Sequence, residues 1–366
     1  MNIILIGGQC IPGIGGVESY TFNMAKALLA LGHNVTIISS GRLEDRFICD
    51  GVEIIHKICP RTNIVALPLL FFKSISYILK NRKFIDVINY QSIFLAFIPG
   101  WVAKICGCKV CYTIHSLAED NPKHGWLMRF LIKIVAFISI WCCGNKILTI
   151  SQSKAQEIYS RYWKKCYVIP CGVNPPLLDS NSDILSRFNI RQGTYFLTIG
   201  RIDPIKNLDT LINAFLRSDC RNYQLVIAGD YTNSYGDYLM KLSQNDNRVI
   251  FVGSVMGADK ECLLKHCMIN CLVSSSEGMP ISLLEAMIYG KASIVSDIPS
   301  IREVLQNDLG YWCKVNDVAS LTEQMNIVVN NYNKVIKDGA MLATYVSKYH
   351  IWNKVVKKYE NYILSI

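Results

Sequence analysis

Two glutamates eight residues apart, Glu277 and Glu285, stand in the segment VSSSEGMPISLLEAMIYGKASIVSD. Pro280 suits the first turn of a helix. That puts Glu277 on the loop before the helix and Glu285 on its second turn. The backbone N–H groups of Gly278 and Met279 are expected to point into the same place. One carboxylate near a sugar, a second on ribose hydroxyls and amide groups for a phosphate would together hold one elongated ligand. Carboxylates at this spacing also arise by chance, but the strand–loop–helix context weighs against chance here.

Upstream, LTIGRIDPIKN sets Arg201 and Lys206 just past a strand end, beside Gly200. Two cations there suit a diphosphate that gains negative charge as it departs; a solvated loop is the competing account. His115 follows the apolar strand KVCYTI, at the end of a sheet where open α/β folds bind ligands. The first loop, GGQCIPGIGGVES, contains Gly13, Gly15 and Gly16. It lets backbone approach a ligand while the next helix offers N–H groups to a phosphate. A tight turn explains that loop equally well. It is not a G-x-G-x-x-G fingerprint, and the second strand ends in Ser39-Ser40 rather than in an acidic residue for a ribose. A Walker-type phosphate loop, H-E-x-x-H, G-x-S-x-G and D-x-D are all missing from the sequence, so no metal-bridged site is expected.

The elements that must position these residues alternate along the chain. Strand candidates are 2–7, 34–39, 52–58, 85–89, 109–114 and 146–150, with helices such as 16–31 and 93–106 between them. After VIPCGVNPP (168–176), which reads as a linker, the alternation restarts. Strands at 195–200, 224–228, 249–252, 269–273 and 292–295 are separated by helices at 207–216, 258–266 and 281–289. Near-continuous apolar strands between helices predict doubly wound parallel sheets. Two Rossmann-like lobes are expected to face a cleft at the carboxyl ends of their strands. A basic helix, 350–366, ends the chain and is expected to cross back to the first lobe.

The chain has 366 residues, enough for two domains, with 51% hydrophobic and 18% charged residues. Mean hydropathy is +0.24, which excludes a disordered chain. The longest uncharged stretch, 87–103, is broken by Asn89, Gln91, Pro99 and Gly100, so no membrane span is expected. The start, MNIILIGGQC, reads as a strand rather than a signal peptide. The fifteen cysteines read as reduced thiols in the core. Neither Cys108 and Cys111 nor the group Cys262, His266, Cys267 and Cys271 supplies the paired spacing of a zinc site.

Net charge is +10, and residues 1–180 hold 19 Lys/Arg against 10 Asp/Glu, while the rest is nearly balanced at 19 against 18. The basic half is expected to face something anionic, nucleic acid or an acidic membrane. No nucleic-acid recognition motif is visible, so a membrane is the favoured partner. Two segments carry basic residues among bulky apolar ones, LPLLFFKSISYILKNRK (67–83) and WLMRFLIKIVAFISIWCC (126–143). Each reads as an interfacial membrane anchor or as a core helix with a narrow solvated stripe.

Together GIGGVES, the strand ending in His115, ILTISQSKAQEI, VIPCGVN, GRIDPIKNLDTLINAF, LVIAGD, RVIFVGSV, SEGMPISLLEAMIYGKASIVSD and the terminal helix with Trp352 resemble glycosyltransferase family 4, the large retaining family with the GT-B fold. The resemblance spans essentially the whole chain. It implies an acceptor-binding Rossmann-like domain (1–170), a nucleotide-sugar-binding one (171–345) and the crossing helix (346–366). By position it implies that Arg201 and Lys206 neutralise the donor diphosphate and that Glu285 binds the nucleotide ribose. Glu277 then contacts the transferred sugar, with the N–H groups of Gly278 and Met279. His115 lies near the sugar and β-phosphate, Gly15 and Gly16 close over the phosphates with Glu18 just beyond, and Ser151 caps a helix.

The implied enzyme is a hexosyltransferase with a UDP- or GDP-sugar as co-substrate and no metal or other cofactor. Its acceptor would be a lipid-linked oligosaccharide of bacterial surface-polysaccharide synthesis (O-antigen, capsule or exopolysaccharide), and the enzyme would be cytoplasmic, attached peripherally to the inner face of the cytoplasmic membrane. IPSIREVL after Asp297 departs from the paired glycines of many members before the Glu, here Glu303, and 116–125 matches no recognisable pattern. Competing readings are a GT-B sugar-nucleotide epimerase or phosphorylase, and a non-catalytic nucleotide-sugar sensor or membrane scaffold.

Overall fold

The computed structural model describes all residues except 14, 60–62, 93–95, 118–124, 143–145, 178–180, 306–308 and 366. The chain forms two compact units, Met1–Gly172 with Trp352–Ile366, and Val173–Ile351. Each is built on one sheet.

The first sheet has eight strands. They are β1 (Asn2–Gln9), β2 (Asn34–Gly41), β3 (Asp45–Cys49), β4 (Val52–Ile58), β5 (Val87–Tyr90), β6 (Lys109–Ile114), β7 (Lys146–Thr149) and β8 (Tyr167–Val168). Their spatial order is β3-β4-β2-β1-β5-β6-β7-β8. All neighbours run parallel except β3 and β4. The second sheet has six strands, β9 (Tyr195–Ile199), β10 (Gln224–Ala228), β11 (Val249–Gly253), β12 (Ile269–Leu272), β13 (Ser293–Ser296) and β14 (Tyr311–Cys313). Its order is β11-β10-β9-β12-β13-β14, parallel throughout.

The central strands are apolar because helices cover both faces, so both side-chain directions are buried. Leu5, Ile6, Val87, Ile88 and Val110 fill the first core, and Phe196, Leu197, Val226 and Ile227 the second. In each sheet the order reverses beside the first strand, β1 or β9, which is where such sheets open a crevice at their carboxyl ends.

Three strands were not anticipated. β3 is a short, largely exposed edge strand, joined to β4 by Asp50-Gly51 with φ of 48° and 80°. An Asp-Gly pair at positive φ is the two-residue hairpin turn, so the signal was present in the sequence. β8 lies at the start of the stretch read as linker, and β14 is three residues on a sheet edge. Within the second unit, Val173 donates its N–H to the His350 carbonyl (2.7 Å), so the two ends of that unit run side by side.

The two basic, oily segments differ. In the helix Asn63–Asn81, residues Leu70, Phe71, Ser74 and Ile78 are fully buried, and Lys73 donates to the Ile58 carbonyl (2.6 Å). It is a core helix. The helix Trp126–Cys142 buries only the stripe Ile132, Ala136, Ser139 and Ile140. Its residues 126–131 are exposed on every side, Trp126 by 80%. A core helix with a narrow solvated stripe does not describe it.

The last helix, Trp352–Leu364, belongs to the first unit. Trp352 is buried edge-on to Tyr20, with ring centroids 5.4 Å apart, and the Tyr359 hydroxyl accepts from Asn89 in β5 (3.0 Å).

Candidate active site

The second unit gathers its site at the carboxyl ends of β9 and β12. Past β9 the chain passes Gly200 and Arg201 into a short 3-10 turn, Pro204–Lys206. Asp203 caps that turn by accepting from the Ile205 N–H (3.2 Å). Asn207 then takes left-handed φ of 50° and donates its amide to the Val273 carbonyl just after β12 (2.9 Å). Ser275 donates its N–H to the Ile205 carbonyl (2.9 Å). These crossed bonds lace the loop after β9 to the loop after β12.

The lacing sets Lys206 against Glu277. The Lys206 ammonium lies 2.5 Å from Glu277 Oε1, and the Ser274 hydroxyl donates to the same oxygen (2.6 Å). Both partners of the ion pair are largely buried, with side chains 19% and 12% exposed. A small pocket opens beside them, lined by Gly200, Arg201, Lys206 and Ser274 over the ends of β9, β10 and β12. Arg201 itself is exposed at its rim.

Glu277, Gly278 and buried Met279 form the loop before the helix Ile281–Ile288. Pro280 stands one position before that helix, with extended ψ of 103°, rather than inside its first turn. Glu285 lies on the second turn. Its Oε1 is held 2.7 Å from the ammonium of Lys260, which projects from the helix Gly257–His266. So Arg201, Lys206 and Glu277 surround one loop pair, and Glu285 is anchored separately by a lysine that sequence reasoning had not singled out. Ser274 had also been passed over, although its place three residues before Glu277 was a local signal.

In the first unit the glycine loop leads into the helix Gly16–Ala30. Glu18 folds back over the start of that helix, and its Oε1 accepts from the Gln9 N–H (3.0 Å). A Cβ on Gly15 would stand 2.1 Å from the other Glu18 oxygen, so this turn admits only glycine while Glu18 holds that position. The Glu18 carboxylate thus lies against Gly15, whereas a Cβ at Gly16 would meet nothing within 4 Å.

His115 follows β6. Its Nε2 lies 2.9 Å from Oε1 of Gln91, the residue after β5, and its ring meets Tyr20 edge-on at 4.8 Å. An amide oxygen only accepts, so Nε2 carries the proton. His115 keeps some surface open, but the protein packed around it makes the charged form costly and pushes its pKa down to about 4. Ser151 does cap its helix, accepting from the Lys154 N–H (3.2 Å).

Among the described residues no three His, Cys, Asp or Glu side chains are placed to hold a metal ion. Cys108, Cys111, Cys262, Cys267 and Cys271 are buried in the two cores, and burial pushes the Cys111 and Cys267 thiols up to about 12. Protonated thiols of this kind are poor ligands and nucleophiles.

Residues 184–341 match the family described as Glycosyl transferases group 1, and residues 14–176 match Glycosyltransferase Family 4. An N,N'-diacetylbacillosaminyl-diphospho-undecaprenol alpha-1,3-N-acetylgalactosaminyltransferase of Campylobacter jejuni is 31% identical over 82% of this chain and 84% of its own. The chain belongs to glycosyltransferase family 4. A wider relative of this glycosyltransferase is the GPI3 subunit of the yeast phosphatidylinositol N-acetylglucosaminyltransferase, 23% identical over 98% of this chain and 81% of its own. Among solved structures, Anabaena Alr3699/HepE in complex with UDP and glucose matches with a TM-score of 0.79 at 17% identity, covering all of both chains. Sucrose-phosphate synthase of Thermosynechococcus elongatus matches with 0.79 at 18% identity, over 100% of this chain and 98% of its own. The fold of the glycosyltransferase is therefore GT-B.

Two departures from the family pattern fall differently. Glu303 lies in the helix Pro299–Leu305, directly after β13. Most of the segment 116–125 lies outside the described residues.

Proposed function

We propose that this glycosyltransferase moves a hexosyl-type sugar, with retention of anomeric configuration, from a UDP- or GDP-sugar to a lipid-linked oligosaccharide of a bacterial surface polysaccharide. The single observation that carries the donor assignment is the Lys206–Glu277–Ser274 cluster beside the Arg201 pocket. It holds a cation and a carboxylate within one ligand's reach at the carboxyl ends of the strands.

In this reading the anomeric C–O bond to the nucleoside diphosphate breaks. Arg201 and Lys206 stabilise the charge that collects on the leaving diphosphate. Glu277, with the N–H groups of Gly278 and Met279, orients the sugar, and Glu285, steadied by Lys260, takes the ribose hydroxyls. His115, Gly15 and Gly16 are assigned to the sugar and phosphates of the same donor. The departing phosphate helps to deprotonate the acceptor hydroxyl on the face it leaves, so no second carboxylate acts as nucleophile. A thermal-shift panel of UDP- and GDP-sugars tests the donor. Stabilisation by one nucleotide class is expected, and none with any member would refute the assignment. The anomeric configuration of the product, read by NMR, tests retention.

Two observations support a lipid-linked acceptor at an anionic membrane. The names of the Campylobacter and yeast relatives specify a diphospho-undecaprenol and a phosphatidylinositol acceptor. The helix Trp126–Cys142 exposes Trp126, Leu127, Met128, Phe130, Leu131 and Ile134. Successive helical residues turn by a third of a circle or less, so an exposed run from 126 to 131 faces all directions. Exposed Trp, Leu, Met and Phe of this kind suit burial in the headgroup–acyl boundary of a membrane. The patch continues through Trp141, whose indole donates to the Tyr162 carbonyl (3.1 Å) and lies under the Lys164 ammonium. Exposed Arg129 and Lys133 supply attraction to anionic headgroups. No described helix is long and apolar enough to cross a membrane, so the proposed attachment is peripheral, on the cytoplasmic face. Co-sedimentation with anionic and neutral vesicles tests it. Preference for the anionic ones is expected, and equal binding or none would refute it.

A further inference from the structure

The ends of β5 and β6 hold two buried amides that are treated differently. Asn89, inside β5, spends its amide group fully, donating to the Thr113 hydroxyl and to the Tyr359 hydroxyl, each at 3.0 Å. The Thr113 hydroxyl returns a bond to Asn89 Oδ1 at 3.0 Å. Gln91, two residues on, is only 4% exposed, and its backbone is fixed by donation to the Ile6 carbonyl (2.8 Å). Gly7 makes room for it, since a Cβ there would lie 2.8 Å from the Gln91 Cβ. Its Oε1 accepts from His115, yet its buried Nε2 has no hydrogen-bond partner among the described residues. Buried donors are rarely left unpaired, and those that are need a reason. The chain satisfies a structural amide two residues earlier, so an unspent one beside the histidine is a built feature.

We propose that Gln91 is a positioning residue of the glycosyltransferase: its Oε1 holds His115 as the Nε2–H tautomer, and its unspent Nε2–H group is kept for an oxygen atom of the bound substrate. The catalytic consequence rests on the function proposed above, but the tautomer and the unspent donor do not. With Nε2 committed to Gln91, His115 presents Nδ1 as an acceptor. The titratable group packed against the imidazole, among the described residues, is the Tyr20 phenol on the helix Gly16–Ala30. Burial raises its pKa well above the ordinary value, so it stays neutral.

Three variants of the full-length chain test this. In the wild type, long-range 1H–15N NMR of labelled histidine is expected to show the Nε2–H tautomer of His115. Gln91→Glu places a carboxylate there, which favours the imidazolium; proton binding to His115 is expected to tighten by about ten-fold or more. Gln91→Met removes the unspent Nε2–H but also the acceptor of the His115 Nε2–H, two opposed effects of similar size, so its melting temperature is expected to stay within a few degrees of the wild-type value. Its kcat/KM is expected to fall about ten- to hundred-fold, the range for a lost hydrogen bond to substrate. Gln91→Asn keeps the amide but shortens it, and is expected to lose His115 tautomer selection while still folding. An Nδ1–H tautomer in the wild type would overturn the proposal. So would a folded Gln91→Met protein with unchanged kinetics. If the tautomer and melting results hold but the wild type transfers no sugar, the functional reading fails and the positioning of His115 stands.

Discussion

Glu277→Ala removes the acceptor that Lys206 and Ser274 share. The Ser274 side chain is fully buried, so its hydroxyl would lose its partner without gaining water. Such a loss costs about 1–3 kcal/mol. Lys206 is 19% exposed and can turn its ammonium to solvent, so its share is smaller. A total near 2 kcal/mol predicts a melting temperature lower by roughly 4–8 °C in a unit of this size, with the fold retained. Turnover is expected to fall much further, by about 10²–10³, the usual loss when a preorganised transition-state contact is removed.

Glu277→Gln separates the two effects. It leaves an amide oxygen for Ser274 and keeps the volume, so the melting temperature should stay near wild type while turnover still falls. The assays are differential scanning calorimetry and initial rates of sugar transfer on the same preparations. Wild-type turnover in Glu277→Gln would refute the reasoning, because a carboxylate replaced without kinetic effect has a purely structural task.

Lys206→Ala is expected to reduce kcat about 10²–10³-fold with folding intact, since the cation is assigned to the departing diphosphate; circular dichroism and single-turnover rates check it. Trp126→Ala with Phe130→Ala removes two side chains that are 80% and 57% exposed. At about 200 Å² per aromatic and about 25 cal/mol per Å², even half-deep insertion of both is worth about 3 kcal/mol, so partition onto anionic vesicles should drop about 100-fold in a flotation assay. His115 shapes acid stability. Its folded pKa of about 4 lies below the unfolded value of about 6.5, so the unfolded chain binds the extra proton first. The contribution is whole above pH 6.5 and is lost as pH falls towards 4, by at most about 3 kcal/mol; urea titrations of wild type and His115→Gln across that window should diverge in slope.

Strands bounded by turn residues were legible residue by residue: 52–58, 109–114 and 224–228 coincide with β4, β6 and β10. In β6 and β10, burial on both faces leaves a near-continuous apolar run, a strong signal. β3 escaped because its five residues edge the sheet and are largely exposed, and β14 because three residues carry no period. At the site, Lys206 and Glu277 could be brought together on paper, since each follows a strand end in neighbouring positions of one sheet. Lys260 with Glu285 and Gln91 with His115 could not. Those partners lie 25 and 24 residues apart on separate elements, and only the packing of one helix on another, or of one strand beside the next, decides that they touch.

Both carboxylates of the E-x7-E segment hold a lysine before any donor arrives, and this bears on how the site can work. A diphosphate entering beside Arg201 does not have to break the Lys206–Glu277 pair, because an ammonium has three donors and Glu277 uses one of them. The carboxylate instead fixes where the remaining two point, so the lysine is aimed at the pocket without a search through its rotamers. The guanidinium of Arg201, exposed at the rim, has no such tether among its described contacts, so under the proposed assignment it can follow a phosphate as the bond to the sugar lengthens. One cation is therefore oriented in advance and the other is adaptable. That division suits a leaving group whose charge grows and whose position shifts during the reaction.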